Sequence, residues 1–251
     1  RQLTQLPGSR FADLQFDAQR HQLVAVQEFH REDGRVENRL VSLNIADGVV
    51  KTLHEGHDFY ASPALSPDGK RLAWLAWDHP HMPWVSTQLF SADRFALGSL
   101  RNVNRLSSAP SAEVNPVAES LFQPQFGHDN QLHCVSDRNG WWNIHRFQSL
   151  DSVRNIWEHT AEFGLAQWQF GLRSYDFLDC ETVAASFLEN GCNHLGVRSG
   201  DGSVELLATE FDYFRSLRCW NNRIYCIAAS ASRLPAVLRI DPDSGSVDIL
   251  R

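Results

Sequence analysis

The residues that bring chemistry to mind in this sequence sit in four short stretches. In Asp78-His79-Pro80-His81, two imidazoles flank a proline beside a carboxylate. Neutral imidazole and carboxylate are both zinc ligands. A metal site also needs a third ligand and partners that orient the first ones, and the sequence supplies neither, so no metal is expected. The segment 78–87 (DHPHMPWVST) is expected as a loop between strands. Asp78, His79, His81 and Trp84 would then pack on a second domain or line a substrate cavity. His54-Glu55-Gly56-His57 is one residue short of the His-Glu-x-x-His zinc motif, and its glycine belongs to a loop rather than a helix. It is expected as a connector. Ser136-Asp137-Arg138-Asn139-Gly140 has turn chemistry: Asp and Asn bond nearby amides and Gly takes positive φ. Arg138 at the tip can pair with a carboxylate. In Trp141-Trp142, strand alternation points one ring into a sheet and the other outward, where it can stack on a peptide or a partner domain.

The elements that must hold these residues are strands. The chain has 251 residues, 43% of them hydrophobic and 21% charged, so it has the composition of a folded globular chain. Within 61–108 lie a short strand, the turn Pro67-Asp68-Gly69, the nearly unbroken apolar run 70–78 (KRLAWLAWD), an alternating strand 87–93, and a more polar strand 101–108. The run 70–78 is the pattern of a strand covered on both faces. The same four-strand grammar recurs over 11–54, 121–158, 173–208 and 214–250. Four strands repeated every 40 to 60 residues or so mark the blades of an all-β propeller. No sustained 3.6-residue period occurs, and a β-sandwich does not predict this repetition. Residues 1–6 (RQLTQL) read as one further outer strand, an orphan, because the last blade already has its own fourth strand at 246–250. Five blades plus one orphan strand imply part of a larger ring, expected to have seven blades, with apolar flanks at both ends of the piece.

Charge and motif content narrow the functions. The formal net charge of −7 argues against nucleic acid as the main partner. No apolar run approaches the roughly 20 residues of a membrane span. Five cysteines, with no Cys-x-x-Cys pair, are expected to be reduced and structural in a cytoplasmic setting. The chain begins at Arg1 and its one methionine is Met82, which suggests a segment of a longer protein. A phosphate-binding glycine loop, a dinucleotide fingerprint and a paired-carboxylate motif are not seen, so no cofactor is expected.

Several stretches resemble the propeller of the prolyl oligopeptidase family, in its acylaminoacyl-peptidase or dipeptidyl-aminopeptidase-like branch. They are His57-Asp58-Phe59-Tyr60-Ala61-Ser62-Pro63, Leu65-Ser66-Pro67-Asp68-Gly69, Trp77-Asp78-His79-Pro80 with Met82-Pro83-Trp84, Gly140-Trp141-Trp142-Asn143, and Ala161-Glu162-Phe163-Gly164. The resemblance covers essentially the whole chain. It implies a C-terminal α/β-hydrolase domain of the parent chain as partner, short peptides as substrates, and a ring that restricts entry to the active site. It also makes Glu162 a candidate for holding a peptide amino terminus. Against the family pattern, no Gly-x-Ser-x-Gly elbow occurs in this sequence, so no catalytic residue is expected in it. The competing reading is a TolB-like propeller that binds a protein or peptide without enzymatic activity.

Overall fold

A computed structural model of the chain describes residues 2–107, 118–207 and 209–251. Its twenty strands form five four-stranded antiparallel sheets, each joined strand to strand in chain order. Blade 1 holds β1 to β4 (Ser9–Asp17, Gln22–His30, Val36–Asn44, Val50–His54) and blade 2 holds β5 to β8 (Phe59–Leu65, Arg71–Trp77, Gln88–Arg94, Leu100–Arg105). Blade 3 holds β9 to β12 (Leu121–Phe126, Leu132–Ser136, Asn143–Ser149, Ser152–Trp157). Blade 4 holds β13 to β16 (Tyr175–Phe177, Val183–Glu189, Cys192–Arg198, Val204–Leu206), and blade 5 holds β17 to β20 (Tyr213–Trp220, Arg223–Ser230, Arg233–Ile240, Val247–Ile249). Ser108 and Ala208, where the second and fourth blades were expected to end, lie outside the described residues.

The run in β6 shows why these sequences make blades. Leu72 through Ala76 are completely buried. Leu72, Trp74 and Ala76 pack toward blade 1 with Val24, Val26 and Leu40, whereas Ala73 and Leu75 pack toward blade 3 with Leu121, Phe126 and Leu132. A two-residue period between two apolar neighbours needs apolar side chains at every position. Blades 3 and 4 share a core around Phe163, Tyr175 and Phe187, and blades 4 and 5 one around Leu195, Phe214 and Leu238. Among the described residues, no apolar cluster or hydrogen bond joins blade 5 back to blade 1.

Each blade's first strand lines the central channel. β1, β5, β9 and β17 carry β-bulges, and a non-glycine residue with positive φ sits in each bulge: Asp13, Ser62, Gln123 and Ser216. A bulge bends the strand and re-aims a side chain. Gln123 uses this turn to tie two blades together, accepting from the Ser174 amide at 2.7 Å and donating to the Tyr175 carbonyl at 2.7 Å.

Up-and-down strand order sorts the connections onto two ends. The turns between first and second strands, and between third and fourth, fall at one end, which we term the rim. The turns between second and third strands, and the links between blades, fall at the other, the mouth.

The orphan strand needs correction. Arg1 lies outside the described residues, and residues 2–6 form no strand. Instead Leu3 packs with Phe11, Leu23 and Val50 against Ala25, Val41 and Leu43, on the side of blade 1 away from blade 2. The Leu3 carbonyl passes so close to Gly48 that a Cβ there would sit 2.0 Å from it. Apolar cover for this flank, rather than a ladder, decides the path of the segment. The matching flank of blade 5 has no such cover: Val237, Ile249 and Leu250 are exposed.

Candidate functional site

All eight residues singled out in the sequence lie at the mouth. Asp78, His79, His81 and Trp84 belong to the β6–β7 loop, Arg138, Trp141 and Trp142 to the β10–β11 turn, and Glu162 to the β12–β13 link. Their local roles differ.

Asp78 is occupied in holding the link between blades 1 and 2. Its carboxylate lies 2.8 Å from His57 Nδ1 and accepts the Asp58 amide at 2.8 Å, while Asp58 in turn accepts the His79 amide at 2.9 Å. The His79 ring meets Phe59 edge-on at 4.9 Å, and the His81 amide donates to the Asp78 carbonyl at 3.0 Å. The His79–Pro80 peptide is cis. Among the described residues no three His, Cys, Asp or Glu side chains gather as a metal cluster. Farther along the loop, Trp84 reaches across to Trp168 of the β12–β13 link, ring centroids 4.3 Å apart.

Arg138 pairs with the buried Glu119 through Nε at 3.0 Å and Nη2 at 3.2 Å, and its guanidinium lies over the Phe147 ring at 5.1 Å. It braces blade 3. Trp141 is exposed, whereas Trp142 lies flat against Gly164, where a Cβ would sit 2.4 Å from the indole. Glu162 Oε2 accepts the Trp142 amide at 2.9 Å, and the Glu162 backbone bridges to Leu188 of blade 4. Oε1 of Glu162 has no hydrogen-bond partner among the described residues.

Glu119, Asp137 and Glu162 form an acidic group around Arg138. Burial pushes the Asp137 carboxyl above its ordinary value, Glu119 and Glu162 add to the push, and the Ser120 amide works against it. A positively charged ligand end near this group would find charge that Arg138 balances only in part.

The sequence reading counts Gln167-Trp168 and Phe170-Gly171 among the family-like stretches but leaves them out of the candidate site. Trp168 is 76% exposed and Phe170 47%. Together with Ala61, Trp77, Phe122 and Leu172 they line a mostly apolar cavity of about 290 Å³. The signal was the length of the link. Residues 158–174 join β12 to β13, whereas 55–58 suffice between β4 and β5. A long link rich in aromatic residues is a usual place for binding groups.

This fold and mouth define a β-propeller, and the comparisons place it further. No protein-family model matches the chain, and no curated protein matches it. Among solved structures, puromycin hydrolase superposes with a TM-score of 0.86 at 26% identity, over 97% of this chain and 37% of that one. Prolyl oligopeptidase B from Galerina marginata gives 0.73 at 13% identity, over 98% of this chain and 35% of that one. TolB from Acinetobacter baumannii gives 0.60 at 15%, over 95% and 53%. The chain thus spans little more than a third of the length of the two peptidases. Its fold is that of the propeller portions of these proteins, consistent with the propeller domain of a prolyl oligopeptidase-family protein.

Proposed function

We propose that this chain is the substrate-gating propeller of a serine peptidase that hydrolyses short peptides, with the catalytic serine on a C-terminal α/β-hydrolase domain outside this chain. The observation that carries the reading is the concentration of exposed aromatic rings and a partly uncommitted carboxylate at one mouth. β1 starts and β20 ends at that same mouth, so a domain joined to either would face it. Peptides reaching such a domain would pass Trp84, Trp168 and Phe170, with Glu162 near enough to the Trp142 turn to meet an amino terminus. A narrow ring excludes folded proteins by size. The five unpaired thiols support a cytoplasmic setting.

The test uses the parent protein. Fluorophosphonate labelling and turnover of short acylated and free-amino peptides are expected, with no cleavage of a folded protein. Trp168→Ala is expected to raise KM about tenfold, the loss of roughly 1.4 kcal/mol of apolar contact, and Glu162→Gln to raise KM only for substrates with a free amino terminus. An unlabelled parent with no peptide turnover would move the reading to a TolB-like binding module.

A further inference from the structure

The channel itself, next to the mouth's aromatic cavity and sharing Ser62, Gly171 and Leu172 with it, carries a charge imbalance. A pocket of about 220 Å³ lies between the inner strands of the blades and is bounded by Asp13, Ser62, Gln125, Arg173 and Arg218, among others. Two guanidiniums meet there, one from the end of the β12–β13 link and one from β17 of blade 5. Arg173 directs Nη2 to Gln125 Oε1 and lies 3.4 Å from Asp176 Oδ1, while its buried Nε has no partner. Arg218 donates through Nη1 to the carbonyl of its own neighbour Leu217 at 3.1 Å and pairs with no carboxylate among the described residues.

The nearby acids do not balance them. Asp176 is fully engaged: Oδ1 accepts from Gln125 and from the Phe177 amide at 2.9 Å, and Oδ2 accepts the Cys219 amide at 2.9 Å. Asp13 accepts the Ser62 amide. Burial raises the Asp13 carboxyl, and among the described residues no ion pair joins it to either arginine. Arg218, by contrast, is brought down to about 10 by desolvation and by the charge of Arg173, which Asp176 only partly offsets. Two guanidiniums, with N–H donors that lack partners among the described residues, therefore border the pocket with one committed carboxylate between them.

We propose that Arg173 and Arg218 form an anchor for the carboxylate of a short peptide in the propeller channel. A guanidinium fork matches a carboxylate with two parallel hydrogen bonds, and both arginines line the one pocket. The pocket is smaller than the roughly 300–1,000 Å³ of sites that enclose a whole small molecule, so it takes one end of a ligand. The choice of a peptide as bearer of the carboxylate rests on the peptidase reading above. Binding to this chain needs no hydrolase domain, so the two ideas fail separately: loss of turnover leaves this anchor intact, and loss of the anchor leaves turnover intact.

The experiment is calorimetric titration of the chain at pH 7 with acetyl-Ala-Ala-Ala and with its C-terminal amide. The free acid is expected to bind at least tenfold more tightly than the amide, and more weakly as salt rises. Acetyl-Glu amide distinguishes a side-chain carboxylate from a terminal one: weaker binding than the tripeptide acid supports a terminal carboxylate. Arg218→Gln is the decisive variant, because among the described residues the Arg218 side chain bonds a neighbouring carbonyl and no carboxylate. It should lose tenfold or more, with an unchanged thermal midpoint. Arg239→Gln, which breaks an exposed pair with Asp248, should bind as the unaltered chain. Equal binding of acid and amide, tighter binding of acetyl-Glu amide, or full binding by Arg218→Gln would overturn the proposal.

Discussion

At the rim, ten turns of two to six residues close the hairpins, whereas the mouth has connections from two to seventeen residues long. The rim turns repeat one device, a carboxylate that accepts backbone amides a few residues on, as at Asp68, Asp179, Asp201 and Asp241. These groups stay below the usual carboxylate range. The Ser66 hydroxyl does this for Asp68 and the Ser203 amide for Asp201. At Asp179 and Asp241 burial pulls upward and the bonded amides outweigh it. At the mouth the acids crowd one another and Asp137 goes the other way. The difference teaches where this fold spends its chemistry. The rim is solved locally and repetitively, and the mouth is built from long links whose polar groups are left partly unmatched.

The largest effect expected at either end belongs to the rim. Asp17 is buried against Arg94, 2.9 Å away, and against Arg20, 3.2 Å away, and this clasp joins blades 1 and 2. Arg20 also reaches the carbonyls of Gly69 and Phe95 in blade 2. Asp17→Ala leaves two buried guanidiniums without an anion, which costs about 3–5 kcal/mol. Urea unfolding is the measurement. A loss under about 1 kcal/mol would mean that the rim is not the stabilising end, and the contrast with the mouth would fall.

Acid should unfold the chain through blade 3, where the two ends share a mechanism. His133 on the rim side and His145 on the mouth side are buried; each faces a backbone carbonyl two residues away through Nδ1, and His133 Nε2 also accepts from Arg146 Nε at 3.3 Å. Burial first, then the nearby Arg146, brings His133 to about 4, and burial brings His145 to about 4. Both folded values lie below the unfolded value near 6.5. Between those limits the unfolded chain takes up protons that the folded chain does not, so stability falls as pH drops from about 6.5 toward 4. The loss is at most about 3 kcal/mol for each histidine. Unfolding midpoints measured across that window should decline, and His133→Gln should flatten the slope. A midpoint constant from pH 7 to 5 would show that these rings are hydrated in solution.

The repeat was legible in the sequence for a physical reason. In β6 each side chain meets a neighbouring blade, so burial wrote an unbroken apolar run that ordinary strand logic reads. Glu162 and the Trp141–Trp142 pair were visible as candidates because a carboxylate or indole beside a glycine stands out in a connection. The channel bulges left no such trace. Asp13, Ser62, Gln123 and Ser216 adopt positive φ without being glycine, and only the closed packing of inner strands imposes it. Asp78 is read from the sequence as packing on a second domain or lining a cavity, and what the sequence did not disclose is that both its oxygens hold the blade 1 to blade 2 link. Trp168 and Phe170 sit in a link without periodicity; Gln167-Trp168 and Phe170-Gly171 belong to the stretches that resemble the family, but nothing in their spacing marked them as site residues. Residues 2–6 had strand-like composition, and a bare apolar flank claimed them instead.

The smallest expected effect sharpens the contrast most directly, because its sign is opposite to that of the rim. Asp137 is disfavoured as an anion by burial and by Glu119 and Glu162, while its carboxylate oxygen accepts the Ser120 amide at 2.8 Å. Asn keeps that acceptor and removes the charge. A carboxyl raised in the folded state weakens the fold above its folded value, and the penalty vanishes as pH falls through it. Asp137→Asn should therefore stabilise the chain at pH 7, by up to about 1 kcal/mol or roughly 2–4 °C in Tm, and the gain should disappear by about pH 4. The equivalent change at the rim, Asp201→Asn, removes a depressed carboxyl. A depressed carboxyl lends stability above its unfolded value and loses it as pH falls, so this variant should not gain at pH 7. Calorimetric scans of both variants at pH 7 and pH 4 make the comparison. If Asp137→Asn is destabilised at pH 7, the acidic group at the mouth is better matched by Arg138 than its geometry implies, and the two ends of the propeller obey the same rule.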